Sequence, residues 1–259
     1  MCRFAAYVGP QITLAQFLLQ PSHSLLRQSF QPRQMTTALM NADGFGIGWF
    51  DERQRPAAYR QTHPIWSDGN LPDLAGSLRR PLWLAYVRSA TDAYSTGPAN
   101  TQPFMDAELV FFHNGFIAPF AERARALMRQ WLDPGIEAAI HGNTDSEYLF
   151  ACLRQFHEQD RDAALEQSIR RLCRQLERWL ESETLLLNLA VSDGRRIYAL
   201  RHAVNAECPS LYYTTDDGSF PAGRLVASEP LTESQSWRAL RANHLLVLDP
   251  DKPPLLSAL

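Results

Sequence analysis

The order of its segments predicts that this chain folds as a single α+β domain over residues 1–259. Apolar runs of strand length come first, helical spacing fills the middle, and short strands separated by turns return near the end. Strands and helices do not alternate regularly, and no G-x-G-x-x-G follows a strand. These two observations argue against a doubly wound nucleotide-binding sheet.

The first half is predicted to contain strands and one short helix. Gly9-Pro10 ends the first strand, Thr13 caps a helix over Leu14 to Leu19, and Asn41 to Gly48 forms a glycine-punctuated loop. Polar residues directly follow the predicted strands at 81–87 and 108–113, so side chains that could bind a substrate or take part in catalysis are expected at the ends of these two strands. The predicted strands cover residues 3–8, 47–51, 81–87 and 108–113.

The second half is predicted to begin with helices and to finish with strands. Helices are expected at residues 118–131, 144–159 and 161–181, and Asn143 and Thr144 supply caps for the second of them. The strands that follow are expected at residues 185–191, 196–200, 210–215, 224–227 and 244–248.

Composition narrows the class of partner. Hydrophobic residues make up 45% of the chain and the net charge is -3, so electrostatics gives no reason to expect nucleic acid or an anionic membrane. The sequence has no apolar run of membrane-spanning length, and its N-terminus lacks the pattern of a signal peptide. We therefore expect a cytoplasmic protein. The sequence leaves the oligomeric state open, a homo-oligomer included.

The four cysteines have no C-x-x-C spacing, which fits neither a disulfide framework nor a zinc site. Cys152, Cys173 and Cys208 are expected to be buried small hydrophobes. Cys2 differs, because removal of Met1 would leave it with a free α-amine, a group whose ordinary pKa is about 8. Such an amine can take the thiol proton and activate the sulfur as a nucleophile. The alternative is a cysteine at position 2 by chance.

Two strand ends supply further candidates. Arg88 follows an apolar strand, where its guanidinium could grip a carboxylate in bidentate fashion, and the alternative is a surface ion pair. Asn114 offers a side-chain NH2 and Gly115 a backbone N–H, which together could form an oxyanion hole or else a plain Asn-Gly turn. His113 could pair with the cysteine or serve only as a structural neighbour of that turn.

A further candidate lies at the start of a helix. Asp145 or Glu147 in its first turn would suit the helix dipole, which is a sufficient structural explanation. Asp145 could instead bind an ammonium group on a substrate.

Taken in order, these motifs resemble those of the class II glutamine amidotransferases, a family of N-terminal-nucleophile hydrolases. The late segment Ala227-Ser-Glu-Pro-Leu231 is similar to a family motif, and the resemblance covers most of the chain. The other similar segments are Cys2, Asp43-Gly-Phe-Gly-Ile-Gly-Trp49, Arg88-Ser-Ala-Thr91, His113-Asn-Gly115 and Thr144-Asp-Ser-Glu147.

The resemblance implies a four-layer αββα sandwich, with two antiparallel sheets stacked between helices. It implies that Cys2 is the nucleophile and that Asn114 and Gly115 form the oxyanion hole. The substrate-binding residues would be Arg88, on the α-carboxylate, Thr91 from the same segment, and Asp145, on the α-ammonium. No metal or cofactor is required.

The opening Met1-Cys-Arg-Phe4, the segment His23-Ser-Leu-Leu26 and the glycine-rich loop resemble a stand-alone subgroup, the amidohydrolases of ergothioneine biosynthesis. Those enzymes remove glutamate from γ-glutamyl-hercynylcysteine S-oxide. The motifs occupy the whole chain and leave no room for a synthase domain, so we expect hydrolysis of a small-molecule γ-glutamyl amide. The alternatives are a glutaminase subunit that acts with a separate partner, a non-catalytic module that binds glutamine or a γ-glutamyl compound, and a redox protein that uses Cys2.

Overall fold

Two antiparallel β-sheets and their covering helices make up the computed structural model, which describes residues 2–35, 39–90 and 96–259. The strands in these ranges are β1 (Arg3–Thr13), β2 (Phe45–Phe50), β3 (Pro56–Gln61), β4 (Arg79–Val87), β5 (Phe104–Met105), β6 (Val110–Ala118), β7 (Thr184–Ser192), β8 (Ile197–Val204), β9 (Tyr212–Thr214), β10 (Arg224–Ala227), β11 (Arg238–Ala239), β12 (His244–Leu248) and β13 (Leu255–Ala258). The helices are α1 (Leu14–Leu18), α2 (Leu25–Phe30), α3 (Leu71–Ser77), α4 (Arg125–Trp131), α5 (Pro134–Glu137), α6 (Asp145–Gln159) and α7 (Leu165–Trp179).

Within the same ranges, the first sheet has seven strands in the order β11-β9-β10-β1-β4-β2-β3, and the second has six in the order β13-β12-β8-β7-β6-β5. β1 lies between β10 and β4, and it pairs antiparallel with both. β6 lies between β7 and β5, again antiparallel. The start of the chain is therefore held from both sides inside a sheet, which suits a residue that must be positioned rigidly.

The alternation of side chains along β1 shows how the layers are arranged. Phe4 and Ala6 belong to a buried cluster that also contains Phe112 of β6, so this face of β1 looks towards the second sheet. Ala5 and Tyr7 pack on the opposite face against α1, α2 and α3. A third cluster packs the outer face of the second sheet against α4, α6 and α7. The described part of the chain thus has four layers, and the predicted αββα sandwich is confirmed.

The predicted caps Thr13 and Thr144 are confirmed, Asn143 caps no helix because it bonds to Asn100 instead, and some element boundaries are corrected. The Thr13 hydroxyl accepts from the Gln16 N–H at 3.1 Å, and Thr144 caps α6. The helix predicted from residue 118 does not start there, because β6 continues to Ala118 and a π-helical turn, Phe120–Ala124, precedes α4. Several short elements, among them β3, α2 and α3, were not predicted because they are too short or too polar to show a period.

The loop predicted over residues 41–48 is wrong from its middle onward, because that part is strand β2. Glycine is needed in β2 because other segments of the chain pack directly against its backbone, and not because the chain turns there. A Cβ on Gly46 would overlap the carbonyl oxygen of Gln102, and one on Gly48 would lie 2.7 Å from Val110 in the second sheet. Gly48 thus lets the second sheet come close to β2, and Gly46 makes room for the segment before β5.

The cysteine prediction holds for two of its three residues. Cys152 and Cys173 are buried, and burial raises the pKa of the Cys173 thiol to about 12. Cys208 is partly exposed, because it lies in the connection that follows β8 and not in a layer of the core. None of the helices among the described residues combines the length and apolar character that a membrane span requires.

Candidate active site

Cys2 immediately precedes β1, which lies in the middle of the first sheet. The register pairs Arg3 with Val87 of β4, so the next position brings Cys2 opposite Arg88. The Cys2 side chain is partly buried and packs against the cluster between the two sheets. Strand pairing alone therefore brings together two candidates that are far apart in the sequence.

Polar groups at the end of β4 surround the Cys2 sulfur. The Tyr86 hydroxyl donates to Sγ at 2.7 Å, and the Ser89 N–H donates to it at 3.3 Å. The thiol S–H donates a hydrogen bond to the Ser89 carbonyl oxygen at 3.4 Å. The sequence reasoning missed Tyr86, although a position two residues before Arg88 on a strand puts both side chains on one face.

Arg88 is only 5% exposed, so the alternative of a surface ion pair is excluded. Its N–H donates to the Gly44 carbonyl at 2.9 Å, and its own carbonyl accepts from the Asp43 N–H at 3.0 Å. A carboxylate oxygen of Asp43 accepts from the Ala90 N–H at 2.8 Å. The loop before β2 thus fixes the segment that carries Arg88. Thr91, the next candidate in that segment, lies outside the described residues.

Asn114 lies inside β6, opposite Asn188 of β7, so the alternative of an Asn-Gly turn is excluded. Phe112, two residues earlier, stacks on Tyr86 with ring centroids 5.5 Å apart, which turns this face of β6 towards the end of β4 beside Cys2. Asn114 is 1% exposed, and neither its Oδ1 nor its Nδ2 has a hydrogen-bond partner among the described residues. An unpaired buried amide costs about 1–3 kcal/mol. A bound ligand would relieve that cost.

Gly115 is required by the packing of β6 on β7. A Cβ at this position would overlap the Leu186 carbonyl oxygen and lie 2.6 Å from Nε2 of His113. No other residue fits without moving a strand. The backbone of β6 at Gly115 therefore lies closer to Leu186 and His113 than any side chain at this position would allow.

His113 links three elements and does not pair with Cys2. Its Nε2 lies 2.9 Å from the Leu186 carbonyl oxygen, and its Nδ1 lies 2.8 Å from the Ser146 hydroxyl. The carbonyl can only accept, so Nε2 carries the proton. Burial lowers the pKa of His113, which favours the neutral ring. These contacts give His113 a structural role, although it lies inside β6 and not beside a turn.

Asp145 is the first residue of α6 and ties that helix to β6. Its Oδ2 accepts from the Ile117 N–H at 2.8 Å, and its Oδ1 accepts from the Ser146 N–H at 2.7 Å. A carboxylate has about four acceptor positions, so Asp145 keeps capacity for an ammonium group. Glu147 instead accepts from two backbone N–H groups of the preceding loop at 2.8 and 2.7 Å, which anchors that loop.

The electrostatic surroundings of Tyr86 connect these candidates. Burial and the neighbouring Cys2 raise the pKa of Tyr86 well above its ordinary value. The charge of Arg88 lowers that pKa, and the charge of Asp145 raises it. Groups from β1, from the end of β4 and from the start of α6 therefore act on one hydroxyl at the seam between the sheets.

A buried carboxylate holds the first residues of the chain. Glu229 accepts from Nε of Arg3 at 2.8 Å, lies 2.8 Å from Nε2 of His23, and accepts from the backbone N–H groups of residues 33–34 at 2.8 and 2.9 Å. Arg3 also donates to the Cys2 carbonyl at 2.9 Å. Burial opposes ionisation, but the bonds from His23 and residues 33–34 and the Arg3 charge lower the pKa of Glu229 to about 2. The motifs at residues 23–26 and 227–231 thus meet at one carboxylate.

The candidate residues lie around Tyr86, between the two sheets. A groove of about 1270 Å³ between α7 and β8, lined in part by Arg174 and His202, shares no lining residue with the surroundings of Cys2. Among the residues that the structure describes, no group of His, Cys, Asp or Glu is arranged to hold a metal ion.

The family model of the class-II glutamine amidotransferases matches residues 15–220, which is most of the chain. The chain belongs to this family. It is therefore an enzyme of the N-terminal-nucleophile hydrolase type, as the order of its motifs predicted.

Two curated relatives align with nearly all of this class-II glutamine amidotransferase. The probable glutamine amidotransferase DUG3 of Saccharomyces cerevisiae is 30% identical over 96% of this chain and 82% of its own length. The gamma-glutamyl-hercynylcysteine sulfoxide hydrolase of Mycolicibacterium smegmatis is 28% identical over 95% of both chains.

Solved structures agree on the fold. A glutamine aminotransferase class-II domain protein from Silicibacter pomeroyi superposes with a TM-score of 0.71 and 28% identity over 99% of both chains. The glutamine phosphoribosylpyrophosphate amidotransferase of Bacillus subtilis superposes with a TM-score of 0.65 and 13% identity, and this chain covers 49% of it. At that identity the second likeness concerns the fold alone.

Proposed function

We propose that this chain, with Met1 removed, hydrolyses a γ-glutamyl amide bond through a thioester on Cys2. The observation that supports the proposal most directly concerns two groups. One is the Cys2 sulfur, which is fixed by hydrogen bonds, and the other is a buried side-chain amide that has no hydrogen-bond partner among the described residues. Sγ of Cys2 accepts from Tyr86 and Ser89, while the buried amide of Asn114 on the facing strand has no described partner. A nucleophile and an oxyanion donor need this arrangement.

The proposed reaction begins with the α-amine of Cys2, which takes the thiol proton. Sγ then attacks the γ-carbonyl carbon, a C–S bond forms, and the carbonyl electrons move to the oxygen. The Asn114 NH2 and the Gly115 N–H donate to that oxyanion. When the C–N bond breaks, the leaving amine takes the proton from the α-ammonium. A water, deprotonated by the same amine, attacks the thioester and releases glutamate and free Cys2.

Two charged residues would select the glutamyl end of the substrate. Arg88 would bind the α-carboxylate, and Asp145 would bind the α-ammonium, each with a hydrogen-bonded charge pair. Thr91, from the same segment as Arg88, would complete this clamp. An amide that lacks either charge would form only one of these two charge pairs, which gives selectivity for a γ-glutamyl group.

The preferred substrate in this proposal is γ-glutamyl-hercynylcysteine S-oxide. The sulfoxide hydrolase of Mycolicibacterium smegmatis supports it, because the two proteins align over 95% of both chains. A glutaminase subunit that acts with a separate partner is the second candidate, favoured by the similarity to the yeast glutamine amidotransferase.

The test is glutamate release from the sulfoxide and, separately, from glutamine. We expect fast release from the sulfoxide and slow release from glutamine, and a loss of about 10³-fold or more in Cys2→Ala. Cys208→Ala is the matched control, since Cys208 is also partly exposed, and it should keep wild-type rates.

Each other outcome has a definite meaning. Release from glutamine alone would favour the glutaminase subunit over the sulfoxide hydrolase. If intact mass shows Met1 removed but neither substrate releases glutamate, the substrate assignment fails. Binding of both substrates without turnover would then indicate a non-catalytic module.

A further inference from the structure

Tyr86 is in direct contact with the sulfur of Cys2, and no role has yet been assigned to it. Its hydroxyl lies 2.7 Å from Sγ, and the residue is 3% exposed. The ring stacks on Phe112 of the second sheet with centroids 5.5 Å apart and planes at 21°. The hydrogen bond to Sγ and the stacking on Phe112 together fix the position of the Tyr86 hydroxyl beside the sulfur.

The direction of this hydrogen bond follows from the chemistry of the two groups. A thiolate can only accept, so the phenol must be the donor when Cys2 is ionised. Burial and the neighbouring Cys2 raise the pKa of Tyr86 well above its ordinary value. A pKa raised above its ordinary value of about 10 leaves the hydroxyl protonated at neutral pH.

We propose that Tyr86 is a further catalytic residue, which donates a hydrogen bond to Sγ of Cys2 whenever that sulfur carries negative charge. The inference deepens the proposed function, since it assigns a residue to the same thioester chemistry.

The sulfur carries negative charge twice in one turnover. Before attack, the α-amine takes the thiol proton, and the Tyr86 O–H stabilises the thiolate that remains. During hydrolysis of the thioester, the C–S bond breaks and its electron pair returns to Sγ. The same O–H then stabilises the departing thiolate. The phenol proton stays on its oxygen throughout, so no additional acid or base is needed.

The test compares Tyr86→Phe with Tyr7→Phe. Tyr7 is the matched control because its hydroxyl is also in a buried part of the first sheet, but it donates to the Pro10 carbonyl at 2.7 Å and faces the helices. For both variants and the wild type, Cys2 is alkylated with iodoacetamide across a range of pH, and Met1 removal is checked by intact mass.

Tyr86→Phe should move the midpoint of the alkylation profile upward by about one to two pH units, because a hydrogen bond to a charged group is lost. It should lower kcat about ten-fold or more with little change in KM. Tyr7→Phe should leave the midpoint and kcat as in the wild type. An unmoved midpoint in folded Tyr86→Phe would overturn the proposal.

Replacement of Tyr86 by 3-fluorotyrosine provides a second measurement that keeps the shape of the side chain. The more acidic phenol is a stronger donor, so the midpoint should move to lower pH, and an unchanged midpoint would again overturn the proposal. Alkylation needs no γ-glutamyl substrate. A shifted midpoint without glutamate release would thus contradict the proposed function and leave the contact of Tyr86 with the thiolate established.

Discussion

Asn114 and Glu229 are both buried polar residues, yet their surroundings differ completely. Glu229 has donors from Arg3, His23 and two backbone N–H groups. The amide of Asn114 has no described partner at either end. Most buried polar groups in proteins are hydrogen-bonded, so the first pattern indicates a structural residue and the second a residue that waits for a ligand.

Asn114→Ala should lower kcat about 10²–10³-fold, because one donor to the oxyanion is lost. The free energy of unfolding should stay the same or rise by about 1 kcal/mol, since no hydrogen bond inside the protein is broken. Steady-state kinetics and urea unfolding measure the two effects.

Asn188→Ala is the control for that variant. Asn188 is the cross-strand neighbour of Asn114, and its Nδ2 donates to the carbonyl oxygens of Pro209 and Ser210. This change should lower the free energy of unfolding by about 1–3 kcal/mol and leave kcat near the wild-type value. If the two variants behaved alike, Asn114 would be a structural residue.

Among the elements, β6 and β2 show what the sequence could and could not predict. Apolar runs and polar strand ends were enough to locate β4, β7, β10 and β12 within a few residues. The glycines of β2 were assigned to a loop, and a turn was one of the two alternatives at Gly115 of β6, because glycine is common in turns. The real reason is contact with chain segments far away in the sequence, such as Gln102 beside Gly46, and local spacing carries no information about it.

Gly115→Ala tests this interpretation of β6. The added Cβ would overlap the Leu186 carbonyl, so β6 and β7 must move apart at the proposed oxyanion site. We expect a loss of about 1–3 kcal/mol in the free energy of unfolding together with a large loss of kcat.

Gly76→Ala is the control for Gly115→Ala, because it adds the same methyl group at a position where there is room for it. Gly76 lies in α3, and a Cβ there would meet nothing within 4 Å. That change should be neutral or should stabilise the protein by about 0.5–1 kcal/mol, with kcat unchanged. Equal behaviour of the two variants in thermal unfolding and kinetics would contradict the crowding at Gly115.

For the molecule as a whole, the site depends on how the two sheets and the N-terminus are joined. The ion pair between Arg3 and Glu229 connects β1 to the segment after β10, and the same Arg3 holds the Cys2 carbonyl. These partners are 226 residues apart in the chain. The sequence showed them only as parts of separate motifs, because pairing over such a distance exists only once the sheet has formed.

Glu229 should also set part of the acid stability of the protein. Its folded-state pKa is lowered from 4.5 to about 2, so its contribution is complete above about pH 4.5 and is lost as the pH falls towards 2. The wild type should lose about 3 kcal/mol from this group over that window. Glu229→Gln should be destabilised by about 3–5 kcal/mol at neutral pH, and the difference from the wild type should shrink on acidification.

Glu233→Gln serves as the control for acid unfolding. Glu233 pairs with Arg33 near the same loop, but both side chains are exposed. Its acid unfolding profile, followed by circular dichroism, should match the wild type. A constant difference between Glu229→Gln and the wild type from pH 7 to pH 2 would contradict the role given to Glu229.

The central claim is that Cys2, with its α-amine free, attacks a γ-glutamyl carbonyl. The most direct measurement uses a glutamine analogue that carries a diazoketone in place of the side-chain amide, followed by peptide mass spectrometry. We expect one adduct, on Cys2 of chains that lack Met1, with glutamate release lost in proportion to labelling and no adduct in Cys2→Ala. An adduct on Cys208 that abolishes turnover, or continued turnover in Cys2→Ala, would contradict the claim.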